Sequence, residues 1–99
     1  MTCGGKCYYV YILTNKFDTL LYVGVTSDLR RRLAEHANGQ YQGFTKQYRV
    51  HKLIYYEQYS DIHDAISREQ PLKGWTLEKK RSLIEKKNPD WDDWGEGFV

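Results

Sequence analysis

The sequence predicts a small α/β (α+β) sandwich in which helices flank a three-stranded antiparallel sheet, in the order β-β-α-β-α-α. Three observations predict it: strand-like runs divided by a polar turn, polar cap residues ahead of helical periodicity, and a length of 99 residues. That length suits one hydrophobic core rather than two. A three-stranded sheet is not stable alone, so we expect the helices to cover it.

Three runs rich in aromatic and β-branched residues predict the strands. They lie at residues 8–13 (YYVYIL), 20–25 (LLYVGV) and 50–59 (VHKLIYYEQY). The polar residues 14–19 between the first two are typical of an antiparallel hairpin. A polar loop is expected at residues 40–49, before the third strand.

The three helices are each predicted from a polar residue that can accept hydrogen bonds from a first helical turn. The candidate caps are Ser27 or Asp28, Ser60 or Asp61, and Thr76. The stop signals are Asn38-Gly39, Pro71 and Pro89, and the third helix should run to about Asn88. Pro71 is expected to end or bend the second helix because proline has no backbone N–H. The apolar positions of that helix are Ile62, Ala65 and Ile66.

One domain is expected, with residues 1–7 as a flexible leader, residues 8–94 as the folded unit and residues 95–99 as a tail. The acidic and aromatic chain end should pack irregularly. The longest apolar run has six residues, against the ~18 of a membrane span, so we expect a soluble cytoplasmic protein. Cys3 and Cys7 lack the further ligands of a zinc site and are predicted to be free thiols.

Charge is unevenly distributed along the chain, although the formal net charge is only +2. Four of the 13 acidic residues lie in residues 90–99, which hold no lysine or arginine. Residues 1–89 therefore carry all 15 basic side chains against nine acidic ones. A basic body of this kind is consistent with phosphate binding, and also with an ordinary solvated surface.

Arg32 and His36 lie at the border of the apolar stripe that the two leucines of the first helix form. This follows from a helical advance of about 100° per residue, which points Arg30 and Arg31 elsewhere, into solvent. A partly desolvated cation needs an anion nearby. Arg32 therefore either binds an anionic group or extends its guanidinium to water along the helix edge.

Glu69 falls inside the apolar stripe of the second helix. A carboxylate there is unfavourable unless it is paired, protonated or bound to a metal ion. Two interpretations stay open, a functional carboxylate or a structural salt bridge to an arginine such as Arg32. Lys73, one turn further on, adds a second charge to the same face.

Tyr11 and Tyr22 lie on the two hairpin strands and could share one polar pocket with the helix edges. The chain has nine tyrosines, so each one taken singly fits packing better than chemistry. The histidines have no metal-ligand spacing, and nothing indicates a Ser-His-Asp or Cys-His site.

The order of these residues resembles the GIY-YIG nuclease family, in particular its small stand-alone members. The triplets at residues 9–11 (YVY) and 22–24 (YVG) stand where that family has its two triplets, followed by Arg32 and then Glu69 on later helices. Stretches like residues 8–13, 22–29 and 68–75 recur in the small members, and Asn88-Pro89 follows in order. The resemblance covers about residues 8–94.

The resemblance implies a metal-dependent endonuclease that hydrolyses nucleic-acid phosphodiester bonds, with DNA as the expected substrate. The implied catalytic residues are Tyr11, Tyr22, Arg32, Glu69 and, as an assistant, His36. Glu69 would bind one Mg²⁺ or Mn²⁺, Arg32 would stabilise charge on the phosphate, and a tyrosine would help to deprotonate the attacking water. Hard carboxylate oxygens suit Mg²⁺, and a planar guanidinium suits phosphate oxygens.

The expected substrate-binding residues are Gly24, Arg30, Arg31, Lys46, Lys73 and Asn88. Gly24 should let the strand end approach the substrate closely. Two departures from the family pattern stand out. Tyr9 replaces the glycine of the family name, and Val25 stands where some members have a lysine that assists the tyrosine. Lys73 is a candidate to replace that lysine, and which tyrosine acts as the base stays open.

The alternative of a different class is a non-catalytic module that binds nucleic acid or a protein partner on the same scaffold. A purely structural α/β protein is a third interpretation, in which the inward charges are coincidental pairs. Retention of both Arg32 and Glu69 favours the enzyme. The sequence does not choose between repair, recombination and other nuclease pathways, and it does not indicate an oligomeric state.

Overall fold

A computed structural model describes residues 7–37, 50 and 52–97, and the predicted order β-β-α-β-α-α is confirmed within them. The elements are β1 (Tyr8–Thr14), β2 (Leu21–Thr26), α1 (Leu29–Ala37), β3 (Lys52–Tyr59), α2 (Ile62–Gly74) and α3 (Leu77–Glu85). A 3₁₀ helix at Trp94–Gly97 follows, where the sequence predicted irregular chain. The third helix ends at Glu85, a few residues earlier than predicted.

β1 is the central strand, with β2 and β3 antiparallel to it on either side. Successive side chains of a strand point to opposite faces. Val10 and Ile12 therefore face one side of the sheet, and Tyr11 and Leu13 face the other. The pairing with β3 shifts register between Ile12 and Leu13, where Ile54 is the additional residue of a bulge.

Helices cover both faces of this sheet, as in the predicted sandwich. The first face packs against α2 and α3 through Val10, Ile12, Val23, Ala65, Leu72 and Ile84. The second face packs against α1 through Tyr11, Leu13, Leu53, Leu29 and Leu33. The sheet is therefore the middle layer, and residues of α1 and α2 approach it from opposite sides.

The helix starts follow the predicted caps. Asp28 Oδ1 accepts a hydrogen bond from the backbone N–H of Arg31 at 3.1 Å, which makes Asp28 the cap of α1. Asp61 caps α2 and Thr76 caps α3 in the same way. These caps fix where each helix begins, and hence which side chains face the sheet.

One prediction about α2 needs correction, and another is answered in part. Pro71, expected to end or bend the helix, lies inside it and does not end it, since α2 continues to Gly74 and buried Leu72 packs its last turn in the core. Ile66 is 39% exposed rather than part of the buried stripe. The buried residues of α2 are Ala65, Glu69 and Leu72, so the helix is rotated and Glu69 is close to the centre of its buried face.

The prediction of free thiols is wrong for Cys7, which forms a disulfide bond. A zinc site needs several ligands, whereas a disulfide needs only a pair of cysteines. Cys3, the other cysteine of that prediction, lies outside the described residues. Among the described helices, none combines the length and apolar character needed to cross a membrane.

Candidate active site

Tyr11 and Tyr22 project from the same face of the sheet, the one that α1 covers. Tyr11 lies opposite Gly24 and Tyr22 lies opposite Leu13, so the alternation of the strands places both rings on this face. Their ring centroids are 6.3 Å apart. Tyr11 is buried and Tyr22 is partly exposed, so solvent reaches Tyr22 more easily.

The Tyr11 ring lies directly over Gly24. A Cβ atom built on Gly24 would stand 2.6 Å from both Cζ and the hydroxyl oxygen of Tyr11, closer than such atoms approach in proteins. Any larger residue at position 24 would therefore displace the tyrosine. This close contact is a structural reason for glycine at position 24 of the strand. The predicted contact of Gly24 with substrate stays a prediction.

His36 packs against both tyrosines from α1. Its Nε2 lies 3.4 Å from the Tyr11 hydroxyl oxygen, and its ring makes edge contacts with Tyr11 and Tyr22 at centroid distances of 6.1 and 5.5 Å. The pKa of His36 is lowered from 6.5 to about 4: burial is the main cause, the positive charge of Arg32 acts in the same direction, and Glu35 acts in the opposite direction. His36 is therefore neutral at neutral pH, and its Nε2 accepts from or donates to the Tyr11 hydroxyl according to its tautomer.

Arg32 lies one turn before His36, at the predicted border of the helix. Its Nε donates to Thr26 Oγ1 at 3.5 Å, and its Nη1 lies 3.5 Å from Glu35 Oε1. The Arg32 side chain is 37% exposed, so part of the guanidinium faces solvent. Arg31 binds the other oxygen of Glu35 and is much more exposed. The predicted sorting of these arginines by helix face is confirmed.

Glu69 is 7% exposed, on the buried face of α2. Its Oε2 lies 3.0 Å from Nζ of Lys73, one turn along the same helix. The sequence had proposed an arginine such as Arg32 as the structural partner, but Lys73 is the partner in the structure. The expectation that Lys73 shares the face of Glu69 is confirmed.

Electrostatic interactions connect Glu69 and Arg32 to Tyr11, although their helices pack on opposite faces of the sheet. Burial is the largest influence on the pKa of Tyr11 and raises it, and Tyr22 raises it further. Arg32 lowers this pKa, whereas Glu69 and Glu35 raise it. The charges of both helices therefore lie within electrostatic reach of one hydroxyl group.

A second set of interactions fixes α2 against β3. Arg68 binds both carboxylate oxygens of Glu57, at 2.9 and 3.1 Å, and the hydroxyls of Tyr55 and Tyr59 donate to the same carboxylate. Burial opposes ionisation of Glu57, but these hydrogen bonds outweigh it and lower its pKa. Because Arg68 precedes Glu69, this paired contact limits rotation of the helix that carries Glu69.

The structure does not bring all the predicted substrate-binding residues to this cluster. Arg30 and Arg31 lie exposed on α1, and Lys46 lies outside the described residues. The buried Asn88 donates its two amide hydrogens to the carbonyl oxygens of Ile54 and Asp92. The contacts of Asn88 therefore hold the chain end against β3, and its predicted role in substrate binding stays a prediction.

Sequence reasoning missed two residues that hold Arg32 in place. Glu35 lies three residues after Arg32 and four after Arg31, which is the spacing of helical ion pairs and could have indicated it. Thr26 is the last residue of β2, and it also accepts a hydrogen bond from the backbone N–H of Asp28. No local pattern distinguishes such a threonine from an ordinary strand residue.

The residues around Glu69 fit a divalent cation whose ligands come partly from the protein and partly from water and a bound substrate. Within residues 7–37, 50 and 52–97, no three or more His, Cys, Asp or Glu side chains are grouped so that they could hold a metal ion. Mg²⁺ at sites of phosphate chemistry is commonly held by one or two carboxylates together with water and substrate phosphates. The single buried carboxylate of Glu69 meets this requirement.

The lowered pKa of His36 predicts a loss of stability at mildly acidic pH. The unfolded chain protonates this histidine below about pH 6.5 and the folded chain only near pH 4, so stability falls as the pH decreases through this window. Between about pH 7 and pH 5 the loss should approach roughly 2 kcal/mol in the free energy of unfolding. Urea unfolding at several pH values measures it.

The matched control for this titration compares two histidine variants. His36→Gln should remove most of the pH dependence in that window, whereas replacement of the exposed His63 should leave it unchanged. Equal slopes for wild type and His36→Gln would contradict a buried neutral His36.

Two tyrosines, a histidine and an arginine thus lie near one another on one side of the sheet, and the buried Glu69 lies on the helix that covers the other side. Residues 7–82 match the family model described as the GIY-YIG catalytic domain. The chain belongs to the GIY-YIG family, as the sequence predicted.

The relatives of the chain are small proteins of similar length. A UPF0213 protein of Staphylococcus saprophyticus is 36% identical over 77 residues, which are 78% of this chain and 93% of that protein. A UPF0213 protein of Haloquadratum walsbyi is 37% identical over 78 residues, which are 79% of this chain and 86% of that protein. The solution NMR structure of a UPF0213 protein from Bacillus halodurans superposes with a TM-score of 0.57 at 28% identity, covering 88% and 92%.

Proposed function

We propose that this chain is a metal-dependent endonuclease that hydrolyses nucleic-acid phosphodiester bonds, with DNA as the expected substrate. The observation that carries the proposal is that Glu69 and Arg32 lie within electrostatic reach of the Tyr11 hydroxyl, from helices on opposite faces of the sheet. The match to the GIY-YIG catalytic domain supports it.

Arg32 is the residue best placed to bind the scissile phosphate. Its guanidinium is partly exposed and its ion pair with Glu35 is long, at 3.5 Å, so a phosphate can compete with that carboxylate for its donors. A planar guanidinium can bind two phosphate oxygens at once and stabilises the charge that develops there during hydrolysis.

The geometry favours Tyr22 over Tyr11 as the hydroxyl that contacts the attacking water. Burial disfavours the phenolate of Tyr11, and the lowered pKa of His36 makes that residue a weak acceptor for the Tyr11 proton. Tyr11 is therefore better suited to donate a hydrogen bond than to act as a base. Tyr22 is more exposed and lies beside the same histidine.

Glu69 is the proposed ligand of one Mg²⁺ or Mn²⁺ ion. A bound divalent cation would polarise a phosphate oxygen and lower the pKa of a water molecule. The contribution of the chain is to hold a preformed carboxylate on a packed helix, with the contact between Glu57 and Arg68 limiting its rotation.

One observation favours a second candidate function, a non-catalytic nucleic-acid-binding module. Glu69 already has a cationic partner in Lys73, as a purely structural carboxylate would. In that case the chain would bind nucleic acid and would not cleave it.

Incubation with nucleic acid in the presence of metal tests the proposal. The purified chain should cleave at least one of branched, single-stranded or duplex DNA when Mn²⁺ is present, and cleavage should stop with a chelator. RNA is the parallel arm that tests the choice of substrate. Binding without cleavage of any of these substrates, in Mg²⁺ and in Mn²⁺, would contradict the enzyme and favour the binding module.

A further inference from the structure

A pocket of about 280 Å³ opens along the strand β2, next to Tyr22. It is lined by Leu21, Tyr22, Val23, Lys73 and Lys80. In the described part of the chain, β2 is an edge strand whose outer side pairs with no other strand. The pocket thus lies between the sheet edge and the two helices that carry its lysines.

The charges around this pocket favour an anionic ligand. Lys73 contacts Glu69, but its side chain is 55% exposed and an ammonium group has three hydrogen-bond donors. Lys80 is partly buried and forms no ion pair with any residue that the structure describes. Two ammonium groups against the one carboxylate of Glu69 leave the pocket positively charged.

The size and lining of the pocket favour one nucleotide unit as its occupant. Its volume is slightly below the ~300–1,000 Å³ that is usual for ligand pockets, so a larger organic molecule does not fit. Leu21 and Val23 offer an apolar surface to a sugar, and the lysines offer donors to a phosphate. Tyr22 connects this pocket to the tyrosine and histidine cluster, so the occupant would lie close to the reacting group.

We propose that Lys73 and Lys80 form a subsite for a backbone phosphate of nucleic acid, adjacent to the phosphate that is cleaved. The subsite rests on the proposed function, because a neighbouring phosphate is present only when the substrate is a polynucleotide. Lys80 is its diagnostic residue, since Lys73 also contacts the proposed metal ligand.

NMR spectroscopy of the full chain in chelator tests the subsite without any cleavage. A short single-stranded DNA oligonucleotide and, separately, inorganic phosphate are titrated into ¹⁵N-labelled protein. The oligonucleotide should shift the backbone amide signals of residues 21–23 in the wild type. These shifts should be lost in Lys80→Ala and retained in Lys80→Arg and in the control Lys86→Ala, which alters an exposed lysine just beyond α3. The salt dependence of oligonucleotide affinity should also become less negative by about 0.7 in Lys80→Ala.

The outcomes separate the subsite from the proposed nuclease activity. Unchanged amides at residues 21–23, or equal shifts in Lys80→Ala, would overturn the subsite even if the protein cleaves DNA with Mn²⁺. A response to inorganic phosphate alone would overturn the polynucleotide ligand in favour of a small anion. Lys80-dependent shifts in a protein that cleaves nothing would support the subsite and contradict only the nuclease.

Discussion

Replacement of Arg32 by alanine is expected to reduce the rate of cleavage by about 10²- to 10³-fold while the fold is retained. The side chain is partly exposed at a helix edge, so its loss leaves no cavity in the core. The phosphate would lose the guanidinium that stabilises its developing charge. Single-turnover cleavage rates, with circular dichroism as the measure of folding, provide the measurement.

Arg31→Ala is a closely matched control. Arg31 and Arg32 are neighbours on α1 and each binds one oxygen of Glu35, so either replacement removes one ion pair from the same carboxylate. The charge of Arg32 also acts on Tyr11 and His36. Comparable losses of cleavage in both variants, or in neither, would contradict the role assigned to Arg32.

Arg32→Lys adds a test of geometry. Lysine keeps the positive charge but not the planar pair of donors, so its activity should fall between wild type and alanine. Full activity in the lysine variant would indicate that charge alone suffices.

The sequence predicted the fold well because the relevant patterns are local. Strand runs, caps and stop signals each depend on a few neighbouring residues, and Asp28, Asp61 and Thr76 cap the helices as expected. Local pattern did not decide whether Pro71 ends or bends α2, because the packing of Leu72 in the last turn depends on residues distant in sequence.

The candidate site was predictable in its residues but less so in its contacts. Helical periodicity identified Arg32 and His36 at a border and Glu69 on a buried face, and the structure places them there. Periodicity does not tell which face of the sheet a helix covers. An ion pair between Arg32 and Glu69 was therefore compatible with the sequence. In the structure, Arg32 pairs with Glu35, and Glu69 pairs with Lys73.

Glu69→Gln is expected to reduce metal-dependent cleavage by roughly a thousandfold or more and to leave the melting temperature unchanged or higher. The carboxylate is buried, so removal of its charge relieves desolvation. Its partner Lys73 is more than half exposed and can turn to water, so no unpaired charge stays buried. Thermal melts beside a cleavage assay measure both effects.

Glu57→Gln is the control, because it shows how the loss of a structural carboxylate should affect stability. Glu57 accepts hydrogen bonds from Arg68, Tyr55 and Tyr59, and its loss weakens all of them. Arg68 is about 30% exposed, so the cost should be moderate, about 1–3 kcal/mol in the free energy of unfolding. In a domain of this size that lowers the melting temperature by roughly 10 °C, and the stabilisation by Mn²⁺ should stay as in the wild type.

Lys73→Ala completes the comparison because it removes the other partner. It leaves the carboxylate of Glu69 buried without its cation, so the melting temperature should fall. Mn²⁺ should then raise it by more than in the wild type, since the metal no longer competes with an ammonium group, and Glu69→Gln should show no such gain. A glutamine variant that melts well below wild type, with no stabilisation of wild type or Lys73→Ala by Mn²⁺, would make Glu69 a structural carboxylate. The nuclease proposal would then fail, and the binding module would be the function that the fold supports.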